Sequence, residues 1–494
     1  MKNSLAQRRG GAEAESGFFR ISAILREIIF FFVLLFAISV DAAPNKWNVV
    51  FIAIDDLRDE LGCYGHKHMH TPNIDRLAAR GMRFDHAYAQ MALCWPSRNM
   101  VFSGIRLDSL GMKGPTHTFR KTKPNIVALP QLFKNHGYYT RSFGKILHHN
   151  GQDDPVSWTE RRFWPPAEKY QHPDNRDCRI TVDRPANHRN PLVEWADVAD
   201  NVYQDGQTTD ETIRTLRKVK DRPFMLMVGY MKPHTPLNAP KRYWDLYAPA
   251  NIKLAPNPFK PKNAPDIAMN GFRYVRSFRD IPENGSIPDD VYRRVRHAYY
   301  ACVSYIDAQV GVLLDELDRL KLTDNTVIVL WSDHGYQLGE HGMICKHTNF
   351  ETSTKVPLVF SFPGQETRGL ATNSFAELID IYPTLAELCG LPRPDHLEGA
   401  SLVPVLNDPK KHVKSAAFSQ YPRGGAMGRS IRVARYRYTE WRQQKTKAIV
   451  ARELYDHRTD PMENVNIAGD PSQAVMLERL SKQLRAGWRA AVVP

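Results

Sequence analysis

Cysteine is scarce: the 494-residue chain has six (Cys63, Cys94, Cys178, Cys302, Cys345, Cys389), with no CxxC pair among them. That excludes a disulfide framework as the scaffold, so an apolar core must do the work. Beyond residue 43 no run is long and apolar enough to cross a membrane, and no internal repeat or low-complexity tract occurs. Negative charge is in deficit. There are 67 Lys and Arg against 53 Asp and Glu, a net +14, of which the first 43 residues supply only +1. An excess of that sign suits acidic partners such as sulfated glycans, or is generic surface basicity. What is present is ordinary for a globular chain: 42% hydrophobic and 24% charged residues, with length for one large α/β domain and a smaller unit.

The first 43 residues read as an address. Arg8, Arg9, Arg20 and Arg26 precede the apolar run Ile28 to Val40, and Asp41-Ala42-Ala43 follows it. The run is short for a bilayer span and small residues come next, so we expect a signal peptide over 1–43, cleaved after Ala42 or Ala43. An uncleaved anchor is the alternative. The expected destination is an exported one: periplasm, outside the cell, or a lysosome-like compartment.

Asn48 to Ile54 is apolar on both faces, a buried strand that stops at Asp55-Asp56. A helix is expected over Asn73 to Arg80, with Asn73 as N-cap and Gly81 beyond its end, and another over Leu129 to His136, closed by Gly137. Strands follow at Tyr139 to Phe143 and Phe224 to Tyr230, separated by an irregular excursion over 151–205. A second irregular stretch spans 256–288. Val291, Val295, Tyr299, Cys302, Ile306, Val310, Leu313, Leu317 and Leu320 then step by three or four, marking a long amphipathic helix. Thr326 to Leu330 and Val356 to Phe362 read as strands, and Phe375 to Leu388 as a helix. Alternating strands and helices predict an α/β fold, a doubly wound, mostly parallel central sheet with helices on both faces. Beyond Pro409-Lys410-Lys411 four short strands and a final helix, with Asp470 as N-cap and Pro471 at its first position, predict a small antiparallel sheet covered by one helix. The expected domains are a catalytic one over 44–410 and an α+β subdomain over 411–494.

The stretch Leu93 to Gly104 organises the chemistry. Pro96 presets the first helical turn, so Cys94 belongs at the helix N-terminus, among free N–H groups and beside the permanent charge of Arg98. An anion would be held and attacked there, and on physics alone the thiol could be a low-pKa nucleophile. Asp55-Asp56 and Asp333-His334 each end a buried strand, at the edge where parallel sheets form their crevice. Three carboxylates and one imidazole suit one hard divalent ion, Ca²⁺ or Mg²⁺; the bland alternative is a helix cap for Asp56 and a turn for Asp333-His334. Three basic clusters also follow strands: Lys145 with His148, Lys232 with His234, and Gly339 to His347 with Lys346.

Cys94-x-Pro96-Ser97-Arg98 matches the signature of the type I sulfatases, a family of the alkaline phosphatase superfamily in which this cysteine is enzymatically converted to formylglycine. Where the family pattern has Thr-Gly, this chain has Ser103-Gly104. The resemblance covers nearly all of the chain after the leader. It is strongest at Ser332-Asp333-His334-Gly335 through Val356-Pro357-Leu358, at Val228-Gly229-Tyr230-x-Lys232-Pro233-His234, and at Ser419 to Arg423 and Tyr436 to Thr439. It leans toward the branch that acts on 2-sulfated iduronate. It is weak between the signature and Lys145 and across 151–205, where rim loops would choose the sugar.

The resemblance implies an alkaline-phosphatase-like sheet and one Ca²⁺ held by Asp55, Asp56, Asp333 and His334, which the formylglycine from Cys94 also touches. It implies that Arg98 and Lys145 hold the hydrated aldehyde and the sulfate. His148 would accept a proton when the sulfated intermediate collapses, and His234 and Lys346 would hold the substrate sulfate and assist the leaving group. The expected partners are a sulfated saccharide and a maturation enzyme, with no nucleic acid and no stable membrane association. Two rival readings remain: a phosphodiesterase or phosphonate monoester hydrolase of the same superfamily, and a non-catalytic sulfoglycan-binding protein with Cys94 unconverted.

Overall fold

The structure is a computed structural model, which describes residues 46–148, 151–176, 189–271 and 274–493. The expected signal peptide and Cys178 lie outside the described residues. Seven strands form the central sheet: β1 (Asn48–Ile54), β2 (Met82–Tyr88), β3 (Tyr139–Gly144), β4 (Phe224–Tyr230), β5 (Thr326–Ser332), β6 (Leu358–Ser361) and β7 (Ala371–Glu377). They lie in the order β7-β2-β6-β5-β1-β4-β3, and only β6 runs antiparallel to its neighbours.

Alternate residues of β1 enter separate cores, as the strand pleat requires. Val50, Ile52 and Ile54 pack with helices α1 (Pro72–Arg80), α4 (Gln204–Val219) and α5 (Asp289–Arg319). Val49, Phe51 and Ala53 pack with α2 (Cys94–Ser103), α3 (Leu129–Asn135) and α6 (Ile381–Leu388). Helices therefore cover both faces, which is the doubly wound arrangement. The C-terminal strands β8 (Ala417–Arg423), β9 (Ala426–Arg432), β10 (Tyr436–Gln443) and β11 (Ile449–Asp456) form an antiparallel meander, with α7 (Ala474–Ala486) against it. Residues 47–494 form one unit. No described helix is long and apolar enough to cross a membrane, and the five described cysteines are free.

Three local expectations are corrected. The N-cap of α1 is Thr71, with Pro72 at the first helical position. Asn73 instead donates its backbone N–H and its Nδ2 to Asp307 of α5, at 3.0 and 2.9 Å. Phe375 to Glu377 are strand, paired in parallel with His86 to Tyr88 of β2, so the helical stretch after them begins at Leu378, with a 3-10 turn that leads into the α-helix from Ile381. The irregular excursion over 151–205 contains a short strand, Val193–Ala196, and is followed by α4, whose inner face carries Thr208, Thr209, Thr212 and Thr215.

Candidate active site

Register assembles the site. Ile54 of β1 pairs with Tyr230 of β4 and Ser332 of β5, and Gly144 of β3 pairs with Gly229 of β4. Four adjacent parallel strands thus end level. Their next residues are Asp55-Asp56, Met231-Lys232, Asp333-His334 and Lys145. The β3–β4 approach is tight enough that a Cβ on Gly229 would overlap the Lys145 carbonyl, and Lys145 donates its N–H to the Gly229 carbonyl at 2.8 Å.

Cys94 is the first residue of α2, as its proximity to Pro96 predicted. Its Sγ lies 3.2 Å from His334 Nε2 and 3.2 Å from Lys346 Nζ, all three side chains being buried. Arg98, one turn on, is fully buried. It donates to Asp333 Oδ2 at 2.8 Å, to Asp55 Oδ1 at 3.2 Å, and to the Lys145 and Ile146 carbonyls. Lys145 pairs with Asp55 and Lys346 with Asp56. Asp56 has a left-handed backbone, φ 63°, and its N–H donates to Asp333 Oδ1 at 3.1 Å.

Electrostatics follow from this packing. Burial opposes the charged form of Asp55, yet Lys145, His234 and Arg98 hold it well below the usual carboxylate range. Asp56 goes the other way: burial and the carboxylates of Asp55 and Asp333 raise it, although Lys346 and His334 oppose them. Burial and the Asp55 charge push the Cys94 thiol well above its ordinary value, against Lys145 and Lys346. A low-pKa thiolate is therefore not what this pocket favours.

One ligand atom from each of Asp55, Asp56, Cys94 and His334 lies within 4.8 Å of the others. The tautomer of His334 tests whether a cation fits. Its Nδ1 is 3.0 Å from the Gly335 carbonyl, which can only accept, so Nδ1 carries a proton and Nε2 is the ring nitrogen turned into the cluster. That nitrogen faces Asp56 Oδ1 at 3.4 Å and Asp333 Oδ1 at 3.6 Å. Carboxylate oxygens gathered beside an imidazole nitrogen suit a metal ion, and the carboxylate-rich set suits a hard one.

Half-buried His234 is electrostatically coupled to Lys145, Lys346 and Asp55; burial and the two lysines keep its ring well below its ordinary value. Its Nδ1 donates to the Thr235 carbonyl at 2.7 Å. Lys232 instead holds its own loop, donating to the carbonyls of His234 and Pro236. His148 is half-buried, three residues beyond Lys145. Sequence reasoning missed the residues that hold this arrangement. Ser97 Oγ donates to the Asp333 carbonyl, and Ser332 Oγ accepts from Leu57 and donates to the His334 carbonyl. Tyr299 of α5 donates to the Asp56 carbonyl at 2.7 Å, and Asp205 caps the Met231 and Lys232 N–H groups. Ser97 was in view within the signature; the others had no local signal, because their partners are distant in sequence.

A family profile described as Sulfatase matches residues 47–391, the segment that carries every residue of this cluster. The chain belongs to the sulfatase family. A second profile, N-sulphoglucosamine sulphohydrolase, C-terminal, matches residues 339–489. This sulfatase is 34% identical to the iduronate 2-sulfatase of Mus musculus, over 89% of its own length and 94% of the relative's. To the iduronate 2-sulfatase of Homo sapiens it is 35% identical, over 87% and 92%. Among solved structures it resembles a protein in complex with its substrate D-glucosamine-2-N,6-O-disulfate (TM-score 0.72, 24% identity, 90% of this chain and 99% of that one). It also resembles the phosphonate monoester hydrolase of Agrobacterium radiobacter (TM-score 0.70, 24% identity, 89% and 95%). Those two likenesses are of fold. The sulfatase is an enzyme of sulfate ester hydrolysis, similar to the iduronate 2-sulfatases.

Proposed function

We propose that this sulfatase removes sulfate from a sulfated saccharide, a 2-sulfated uronate being the first candidate, after Cys94 has been converted to formylglycine by a maturation enzyme. The single observation that carries the reading is the position of Cys94 Sγ, 3.2 Å from both His334 Nε2 and Lys346 Nζ within the carboxylate cluster. The identity to iduronate 2-sulfatases over most of both chains supports the choice of sugar.

Asp55, Asp56, Asp333 and His334 would hold a calcium ion, with the group derived from Cys94 beside it. The ion would supply charge to orient and polarise a sulfonyl oxygen, and the hydrated aldehyde would supply the attacking oxygen. Arg98, Lys145 and Lys346 bring three positive charges against the three carboxylates, so an added divalent ion leaves the pocket positive and ready for an anionic ester. Arg98 fixes Asp55 and Asp333 relative to each other. Lys346 stays protonated: burial opposes its charge, but Asp56 and the Cys94 site raise its pKa well above the ordinary value. His234 is neutral in the free enzyme, with Nε2 unprotonated because Nδ1 serves Thr235. An arriving sulfate offsets the two lysines, which lets Nε2 take a proton and pass it to the leaving alkoxide. His148 would take up the proton released at the end of the cycle. Residues 1–43 are proposed as the export signal and 411–494 as a subdomain that closes one side of the catalytic unit.

Release of inorganic sulfate from 2-sulfated uronate oligosaccharides tests the reading, with matched aryl sulfate and aryl phosphate esters in parallel. Turnover of the sulfates, abolished in Cys94→Ala, is the expected result. Preference for the phosphate esters would move the enzyme to the phosphonate hydrolase branch, and sulfate release by Cys94→Ala would end the reading.

A further inference from the structure

The loop that leaves Asp56 carries an alternation of histidines, His66, His68 and His70, which the catalytic cluster does not use. Glu60 and the first two of these converge. One ligand atom from each of Glu60, His66 and His68 lies within 4.8 Å of the others. His68 Nε2 is 3.0 Å from Glu60 Oε1, and the two imidazole rings stand edge to face at 5.8 Å.

Glu60 is buried, and its two oxygens are not equivalent. Oε1 accepts from Tyr300 at 2.8 Å and from Arg296 at 3.3 Å. Oε2 is buried with no hydrogen bond, although Arg58 Nε stands 3.3 Å away as an ion pair. A buried carboxylate oxygen without a donor is costly unless something else occupies its lone pairs. The surrounding charge does not forbid a cation. Arg58 and Arg296 each also pair with Glu340, at 3.0 and 3.3 Å, so two guanidiniums meet two carboxylates and the group is neutral overall. A cavity of about 500 Å³ opens beside Glu60 and His68, with room for the water that completes an open coordination shell.

We propose that Glu60, His66 and His68 form a second metal site, for a borderline transition ion of the Zn²⁺ type. Two imidazoles and one carboxylate are donors that such an ion prefers, whereas calcium takes oxygen ligands and is served by the carboxylate cluster at Asp55 and Asp56. The ion would clamp the 57–71 loop where Tyr300 and Arg296 of α5 already hold Glu60. It would act behind the catalytic carboxylates, since Tyr299, the neighbour of Tyr300, bonds both the Asp56 carbonyl and the Arg58 N–H.

The test uses the full chain, loaded with calcium, equilibrated with zinc, desalted, and assayed for both metals by plasma mass spectrometry. Wild type should retain zinc in addition to calcium. His66→Ala and His68→Ala should each retain zinc about 10-fold or more weakly while keeping calcium. The His68 side chain is 50% exposed, so His68→Ala should fold even if His66→Ala does not. Asp55→Asn should keep the zinc. In thermal melts, zinc should raise the midpoint of wild type and not that of His68→Ala. The proposal is overturned if wild type retains no zinc, if both histidine variants retain as much as wild type, or if zinc is lost from Asp55→Asn instead, which would assign it to the catalytic cluster.

Discussion

Lys346 Nζ stands 3.2 Å from Cys94 Sγ with both side chains buried, and the same ammonium pairs with Asp56. One lysine therefore touches the proposed nucleophile and a proposed metal ligand together. Replacing it with methionine removes a charge aimed at the reacting centre while keeping most of the volume. We expect kcat/KM on an aryl sulfate to fall about 10²–10³-fold, on the order of 2.7–4 kcal/mol. Lys346→Arg should restore part of the loss. Steady-state kinetics on preparations matched for calcium and for formylglycine content measure this.

Arg98 is a separate case because its guanidinium is fully buried between Asp333 and Asp55. Arg98→Ala leaves two buried carboxylates short of a counter-charge, a loss of about 3–5 kcal/mol in a chelator. A divalent ion in the carboxylate cluster replaces part of that charge. The rise in melting temperature on adding calcium should therefore be larger for Arg98→Ala than for wild type. Melts of both proteins with and without chelator give the comparison; an equal rise would count against a metal at these carboxylates.

Gly229 faces the Lys145 carbonyl so closely that any Cβ must push the two strands apart. Gly229→Ala should cost about 1–3 kcal/mol of stability through overpacking and also displace Lys145 from Asp55. The expected signature is a folded protein whose kcat/KM falls much further than its melting temperature would explain. Circular dichroism alongside aryl sulfate kinetics separates these effects.

The Asp55-Asp56 and Asp333-His334 pairs and the Cys94 signature were legible because each is local: an apolar strand stopped by charge, or a helix start marked by proline. The same locality made β1, β3, β4 and α5 readable. Helix α4 was not, because its inner face is threonine rather than leucine. Thr208, Thr209 and Thr212 each satisfy the hydroxyl on the carbonyl four residues back, so they can be buried without an apolar stripe. Strands β2 and β7 escaped for another reason. They lie next to each other at one edge of the sheet, where charged residues such as Arg83 and Asp85 alternate with buried ones and break the apolar run. The pairing of Phe375 to Glu377 with His86 to Tyr88 makes that segment strand rather than helix. Tyr299 and Asp205 could not be read as site residues at all, since what they hold lies on other elements.

Glu453 gives a pH prediction away from the active site. Burial raises its pKa to about 7, against the donors Trp441 Nε1 at 2.7 Å and Tyr455 Oη at 2.9 Å. The folded value lies above the ordinary 4.5, so the folded chain holds the proton more tightly than the unfolded one. The stability this contributes is fully present below pH 4.5 and lost as pH rises through about 7, on the order of 3 kcal/mol in all. Glu453→Gln cannot titrate and should flatten that decline. Denaturation at pH 5 and pH 8, compared for the two proteins, should show a smaller difference for the variant.

The most direct test is the mass of the tryptic peptide containing Cys94, from protein produced together with a formylglycine-generating enzyme. The account predicts the mass of formylglycine at that position, and sulfate release that rises in proportion to the converted fraction. A peptide carrying unmodified cysteine in protein that hydrolyses sulfate esters at full rate would contradict it.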